Sequence, residues 1–282
     1  MHISLDSALG RQRRLNQVGE TISSIAAPAA AYSLRSLTGG DPKSVRVRRS
    51  SDDSEQDVTV SEISSGALVD FVGSGNDGFV SKWYDQSGNS NDALQSTAGN
   101  QPKIVNSGSL VVDSSIAGLD FDGGDFLVAS SVSGLEGSIS MFAVSVRDAS
   151  GYVVSPSNSS AANRYFGIQE AASTVVANPR NTSNKTVSDS VSGADRLSFA
   201  VTTGATSTSV GANGSAVTTT TNDYGDDFAG SNLDQIAIGI LRTVSASGQF
   251  NGRIREILVY SSDQTSNRTA LETNINSYYS IF

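Results

Sequence analysis

The most chemically suggestive run in the chain is Trp83-Tyr84-Asp85-Gln86-Ser87-Gly88-Asn89-Ser90-Asn91-Asp92-Ala93, where Asp85, Asn89, Asn91 and Asp92 cluster their side-chain oxygens. Such a loop can grip sugar hydroxyls or a hard cation, or cap its own turn amides. It is not an EF-hand, because the glycine is misplaced and position twelve is Ser96 where a bidentate Glu is needed. A second candidate is the loop 221–232, with Asp223, Tyr224, Asp226, Asp227 and Phe228. Aromatics among acids can form a sugar platform with hydrogen-bonding carboxylates, although a solvated acidic loop with Phe228 tucked inward has the same composition. Glycosidic hydrolysis needs two carboxyl groups at a defined separation. Asp85, Asp92, Asp120, Asp122, Glu170, Asp226, Asp227 and Glu256 are candidates, yet in a chain with 28 acidic residues candidates alone decide nothing. The plainer reading of 85–92 is loop organisation, and of Asp122 and Asp125 a turn beside Gly123-Gly124. The ligand-binding set expected from the sequence is therefore Tyr224, Asp226, Asp227, Asp85, Asn89 and Asp92, with no catalytic residue, no metal ligand and no cofactor.

The absences narrow the chemistry further. The single histidine is His2 and there is no cysteine, so a Ser-His-Asp triad, a Cys-His pair, disulfides and zinc sites are hard to build. Net charge is −9, but residues 1–50 carry eight basic and three acidic residues, +5, which leaves −14 for the remainder. The basic residues lack aromatic interleaving and the acidic body repels phosphate, so no nucleic-acid partner is expected. No apolar stretch approaches the ~20 residues of a membrane span, and Arg11, Arg13 and Arg14 are followed by polar residues instead of the apolar core of an export signal.

These residues must be positioned by strands. Hydrophobic residues are 37% and charged residues 17%, with Ser, Thr, Asn and Gly filling the balance, a mixture suited to short strands and polar loops. Val45 and Val47 alternate with Arg46 and Arg48, and Phe142, Val144 and Val146 with Met141, Ala143 and Ser145. Leu197, Phe199 and Val201, then Ile236, Ile238 and Ile240, show the same period of two, which predicts one buried face with Phe142, Val144, Phe199, Val201, Ile236, Ile238 and Ile240 inward. Asn213-Gly214 predicts a hairpin turn, and loops are expected at 148–163, 178–195 and 221–232. At the C-terminus Leu271, Ile275 and Tyr278 predict an amphipathic helix behind candidate caps Ser261-Ser262-Asp263. Residues 1–27 read as a helix with Leu15, Val18, Ile22 and Ile25 on one stripe, too short to persist alone. That stripe and Arg11, Arg13 and Arg14 are expected to dock on another copy or a neighbouring protein; packing on the chain's own domain is the plainer alternative. The expected division is a segment 1–30 and a domain 31–282.

The blocks Ala29–Arg35, Arg46–Asp57, Trp83–Ala93, Gly118–Leu127 and Gly252–Tyr260 together resemble phage particle proteins carrying a concanavalin A-like, laminin-G-like domain. The early blocks also resemble the catalytic domain of fungal-type α-L-arabinofuranosidase B, whose catalytic carboxylates lie in a later region with no matching motif here. The resemblance implies a concanavalin A-like jelly-roll sandwich of two antiparallel sheets. It also implies a phage virion protein that is not an enzyme: a tail- or fibre-associated adhesin located in the virion, meeting other virion proteins and host surface glycan, and forming a homo-oligomer without membrane insertion. A decoration or tail-fitting subunit is the structural alternative, and a glycan-cleaving hydrolase the third reading.

Overall fold

The computed structural model describes residues 20–181, 185–203, 206–221 and 233–282. Leu15, Val18, Arg11, Arg13 and Arg14, like Tyr224, Asp226 and Asp227, lie outside them. Strands dominate. They begin with β1 (Ala30–Ser33), β2 (Lys43–Arg49), β3 (Glu55–Thr59), β4 (Gly78–Trp83), β5 (Ala93–Leu94) and β6 (Lys103–Asn106). Short pieces β7 (Ser109–Leu110), β8 (Val112–Asp113) and β9 (Ile116–Ala117) lead into β10 (Leu119–Asp122), β11 (Leu127–Leu135) and β12 (Ser138–Ala149). Next come β13 (Gly151–Ser157), β14 (Tyr165–Glu170), β15 (Thr174–Arg180), β16 (Val187–Ser190), β17 (Asp195–Thr203) and β18 (Ser207–Ala212). The last are β19 (Thr218–Thr221), β20 (Leu233–Ile238), β21 (Leu241–Arg242), β22 (Ala246–Ser247) and β23 (Asn251–Tyr260). Helices are few and mostly short: α1 (Ile22–Ile25), α2 (Val60–Ser65), α3 (Ala67–Val72) and α4 (Arg268–Tyr279).

All described pairings are antiparallel, and nineteen strands join one continuous hydrogen-bonded network. One arm runs β19-β18-β17-β12-β23, and the far edge of β23 carries β1 and β10 in succession. From β10 the network passes through β6 to β4, which also holds β2 with β3, and then through β5 to β11. The other arm is β11-β20-β13-β14-β15-β16. Large antiparallel sheets curl in this way because each strand pair adds twist.

Both faces of the central strands are buried, which corrects the one-face expectation. Met141, Ala143 and Ala200 face the main core with Val154, Phe166, Ile168, Ile236 and Ile238. Phe142, Val144, Phe199 and Val201 point the other way, into a second cluster closed by Leu271, Ile275 and Tyr279 of α4 and by Ile22 of α1. Ile240 belongs to neither and packs with Val128 and Ala237. A helix laid over an outer face makes both residues of each alternating pair apolar, so the pattern could not say which face was central. On α4 the inward stripe is Leu271, Ile275 and Tyr279; Tyr278 is 49% exposed and lies under the Arg35 guanidinium. The helix is preceded by Asn267, well after Ser261-Ser262-Asp263, whose Asp263 carboxylate takes the Thr265 amide at 2.8 Å.

Two other expectations change. Residues 148–163 contain β13, buried along its whole length, and 178–195 contain β16. The Ser and Pro content of β13 resembles a loop, but Ser155 and Ser157 donate to the carbonyls of Ile240 and Arg242, which satisfies them inside. Ile22, expected in a docking stripe, is 1% exposed within its own chain, and Ile25 packs partly on the same cluster. The Asn213-Gly214 turn is present, both residues having positive φ and Ser215 N–H closing on the Ala212 carbonyl at 3.1 Å.

Candidate functional site

The Asp85–Asp92 loop is an internal brace. Asp85 Oδ1 accepts the amides of Ala31 (2.9 Å) and Ser87 (2.8 Å), and Oδ2 accepts the Asn91 amide (2.9 Å) and the Ser87 hydroxyl (2.7 Å). Asp92 accepts the Asp85 amide at 3.0 Å and pairs with Lys82 at 3.2 Å. Asn89 and Asn91 donate to the carbonyls of Pro28 and Ala29, and Gln86 ties Ser33 and Arg35 to Leu37. The Asp85 and Asp92 oxygens expected to meet a ligand are thus engaged with β1, Lys82 and the loop itself, and Asn89 is tied down through its amide nitrogen.

The other acids expected as candidates are dispersed. Glu256 is 1% exposed and bidentate to Arg35, and it also accepts from Ser33 and Tyr279. Glu170 is fully buried; its Oε1 accepts from Ser145 (2.7 Å) and Ser198 (2.9 Å), while Arg196 stands 3.9 Å from Oε2. Burial pushes the Glu170 carboxyl up and the Arg196 guanidinium down, each partly opposed by the other's charge. Asp120 is also raised by burial, and Asp125, sequestered with its Oδ2 on the Asp122 amide (3.1 Å), is pushed up to about 7. Among the described residues no group of three or more potential ligand side chains is placed to hold a metal ion. No described helix is long and apolar enough to cross a membrane.

What sequence reasoning missed is an open groove of about 670 Å³ on the β2–β5 side of the molecule, within the size range of ligand pockets. The two-residue period of β2 puts Arg46 and Arg48 on one face, and register places them beside Asp57 and Glu55 of β3. Ser81 and Lys82 enter from β4, and Leu94, 48% exposed, from β5. The loop after β5 contributes Gln95 and Gln101, and Phe126 comes from the approach to β11. The opposite rim is Arg242 of β21, its guanidinium 5.4 Å from the Phe126 ring centre.

The groove floor is ordered by its own bonds. Arg46 Nε donates to Asp57 at 2.6 Å, and Asp57 also takes Lys43 (2.7 Å) and the Tyr84 hydroxyl (2.6 Å). These donors, Arg46 first, hold the Asp57 carboxylate well below its ordinary range, while burial and Asp57 push Tyr84 up to about 12. Arg48 bridges Gln101 (2.8 Å) and Asp53 (2.6 Å), and Gln101 in turn donates to the Gln95 carbonyl at 2.8 Å. The Ser81 hydroxyl is shut off from water with no hydrogen-bond partner. Glu55 is the carboxyl group in the lining. The available hint was the Arg46/Arg48 alternation, but the groove draws on segments nearly two hundred residues apart, which no local pattern connects.

No family model matches this chain, and no curated protein matches it in sequence. Solved structures do match. A GH54 α-L-arabinofuranosidase soaked with a cyclic sulfate inhibitor superposes with TM-score 0.69 at 16% identity, over 89% of this chain and 62% of that enzyme. An arabinofuranosidase complexed with arabinofuranosyl-α-1,2-xylobiose gives 0.65 at 16% identity over the same shares. The Ruminococcus gnavus sialidase module CBM40 bound to α2,3-sialyllactose covers 49% of this chain and 81% of that chain at 18% identity, with TM-score 0.40. The chain thus spans less than two thirds of the arabinofuranosidases it resembles. These neighbours overturn the expectation of a non-enzymatic phage virion protein: they are glycoside hydrolases, and nothing ties the chain to a phage particle. The chain has a mostly β, antiparallel fold, shared over most of its length with glycan-cleaving arabinofuranosidases.

Proposed function

We propose that the chain is a glycan-cleaving enzyme, a glycoside hydrolase that holds its substrate in the groove between Arg46 and Arg242, on a concanavalin A-like, laminin-G-like jelly-roll sandwich. The observation that carries the reading is the shared fold with arabinofuranosidases over 89% of the chain. The two-layer arrangement is supported by β15 and β16, which lie close to β18 without hydrogen-bonding to it. The groove adds components of sugar recognition: an exposed apolar side chain in Leu94, an aromatic ring in Phe126, and the cationic side chains of Arg46, Arg48, Lys82 and Arg242. In this reading Glu55, supplied by β3 beside two arginines, is one of the two carboxyl groups that hydrolysis needs. Asp57 lies two residues on along the same strand, roughly 6–7 Å away. With three donors stabilising its charge it is a poor proton acceptor, and it serves to fix Arg46.

The test is release of reducing ends by the purified chain from arabinan, arabinoxylan and acidic plant and bacterial polysaccharides. Cleavage is expected, and Glu55→Gln should lower the rate by about 10²–10⁴-fold with an unchanged melting curve. Absence of release from every substrate, or full activity in Glu55→Gln, overturns the reading.

A further inference from the structure

We infer that the groove takes a carboxylate-bearing sugar, one uronic-acid unit of an acidic polysaccharide, with the Arg242 guanidinium as the group that pairs with its carboxylate. The inference rests on the groove being the glycan site and names the substrate class. It begins from charge matching inside the lining. Arg46 is paired with Asp57, Arg48 with Asp53, and Lys82 with Asp92. Arg242, by contrast, has no ion pair among the described residues; it is exposed at the rim and only its stacking on Phe126 at 5.4 Å holds it. A guanidinium stacked on a ring keeps its in-plane N–H donors free and pre-aimed, the arrangement that suits bidentate binding of a planar carboxylate. The body of the molecule is acidic, with net charge −9, so a groove lined by four cations and one carboxyl group runs against the general composition.

The remaining lining fits the rest of such a sugar. Leu94 and Phe126 offer apolar surface to the ring's C–H face. Glu55 bears the opposite sign, but it faces Arg48 across the β2–β3 register, so its charge is opposed locally. Arg242 lies on the other rim and has no such acid to answer it among the described residues.

The test is calorimetric titration of the full chain with tetragalacturonate and tetraglucuronate, each compared with its methyl ester. The acids should bind at least tenfold more tightly than the esters, and affinity should fall as salt rises. Arg242→Gln should lose about 10–100-fold for the acids and little for the esters, with an unchanged melting temperature; Arg242→Lys should recover part of the loss. Equal affinity for acid and ester, unchanged affinity in Arg242→Gln, or binding of neither acid overturns the inference. The cleavage assay is separate: acid-selective binding without bond cleavage leaves the inference standing and removes the hydrolase reading. Cleavage of neutral arabinan with no acid binding does the reverse.

Discussion

Trp83 shows how much of one residue's role depends on its neighbours. It ends β4 fully buried, 5.9 Å from the Tyr32 ring, and its indole N–H has no partner. Its sequence context, the end of a strand before a polar loop, points to the core, and its burial bears that out. Trp83→Ala should therefore cost about 3–5 kcal/mol in a urea titration, and a variant that keeps its midpoint while losing glycan affinity would return Trp83 to the binding surface. Asp125 makes a second residue-level case. Burial holds the proton on its carboxyl up to about 7, whereas an unfolded aspartate releases it near ~3.9. The folded state thus binds this proton more tightly. Its stabilising effect is complete below the unfolded value, fades as pH rises to about 7 and is gone above it. Asp125→Asn keeps an oxygen for the Asp122 amide and carries no charge. It should match the parent near pH 4 and exceed it at pH 8, on the order of 1–3 kcal/mol. A difference independent of pH would refute that assignment.

At the scale of elements, period-two alternation located β2, β12, β17 and β20, because a strand exposes its alternation whether one face is buried or two. It misassigned the central face of β12 and β17, since α4 makes their outer residues apolar as well. It missed β13, whose polar residues are satisfied by carbonyls that only tertiary folding brings near. The brace at 85–92 was legible as a self-bonded loop, but its attachment to β1 was not, because those partners lie more than fifty residues away. The N-terminal stripe was ambiguous for a related reason: an apolar face announces that something covers it without naming what. Ile22 on α1 is covered by the chain's own second cluster, and the Glu20 carbonyl accepts from Asn274 of α4. Ile22→Ala should accordingly destabilise the isolated chain by about 2–5 kcal/mol, measurable by denaturant midpoint. No change would mean that Ile22 is available to an outside partner after all.

Across the whole molecule, the strands that carry the main core also carry the second cluster. In β12, Met141 and Ala143 pack centrally while Phe142 and Val144 pack beneath α4, and β17 and β23 divide their residues in the same way. The two clusters therefore share a backbone, and neither can lose its strands while the other stays folded. The groove depends on the same continuity, since β2–β5 reach β11 and Arg242 only through the unbroken network. This predicts one cooperative unfolding transition in spite of the chain's 282 residues. Phe142→Ala on the outer face and Met141→Ala on the inner should each lower that single transition, by about 3–5 and 2–5 kcal/mol respectively. Scanning calorimetry should give equal calorimetric and van't Hoff enthalpies for the parent and both variants. If Phe142→Ala instead split off an early, small transition for α4 while the rest melted as before, the second cluster would be a separable layer. The groove could then be studied in a chain that lacks it.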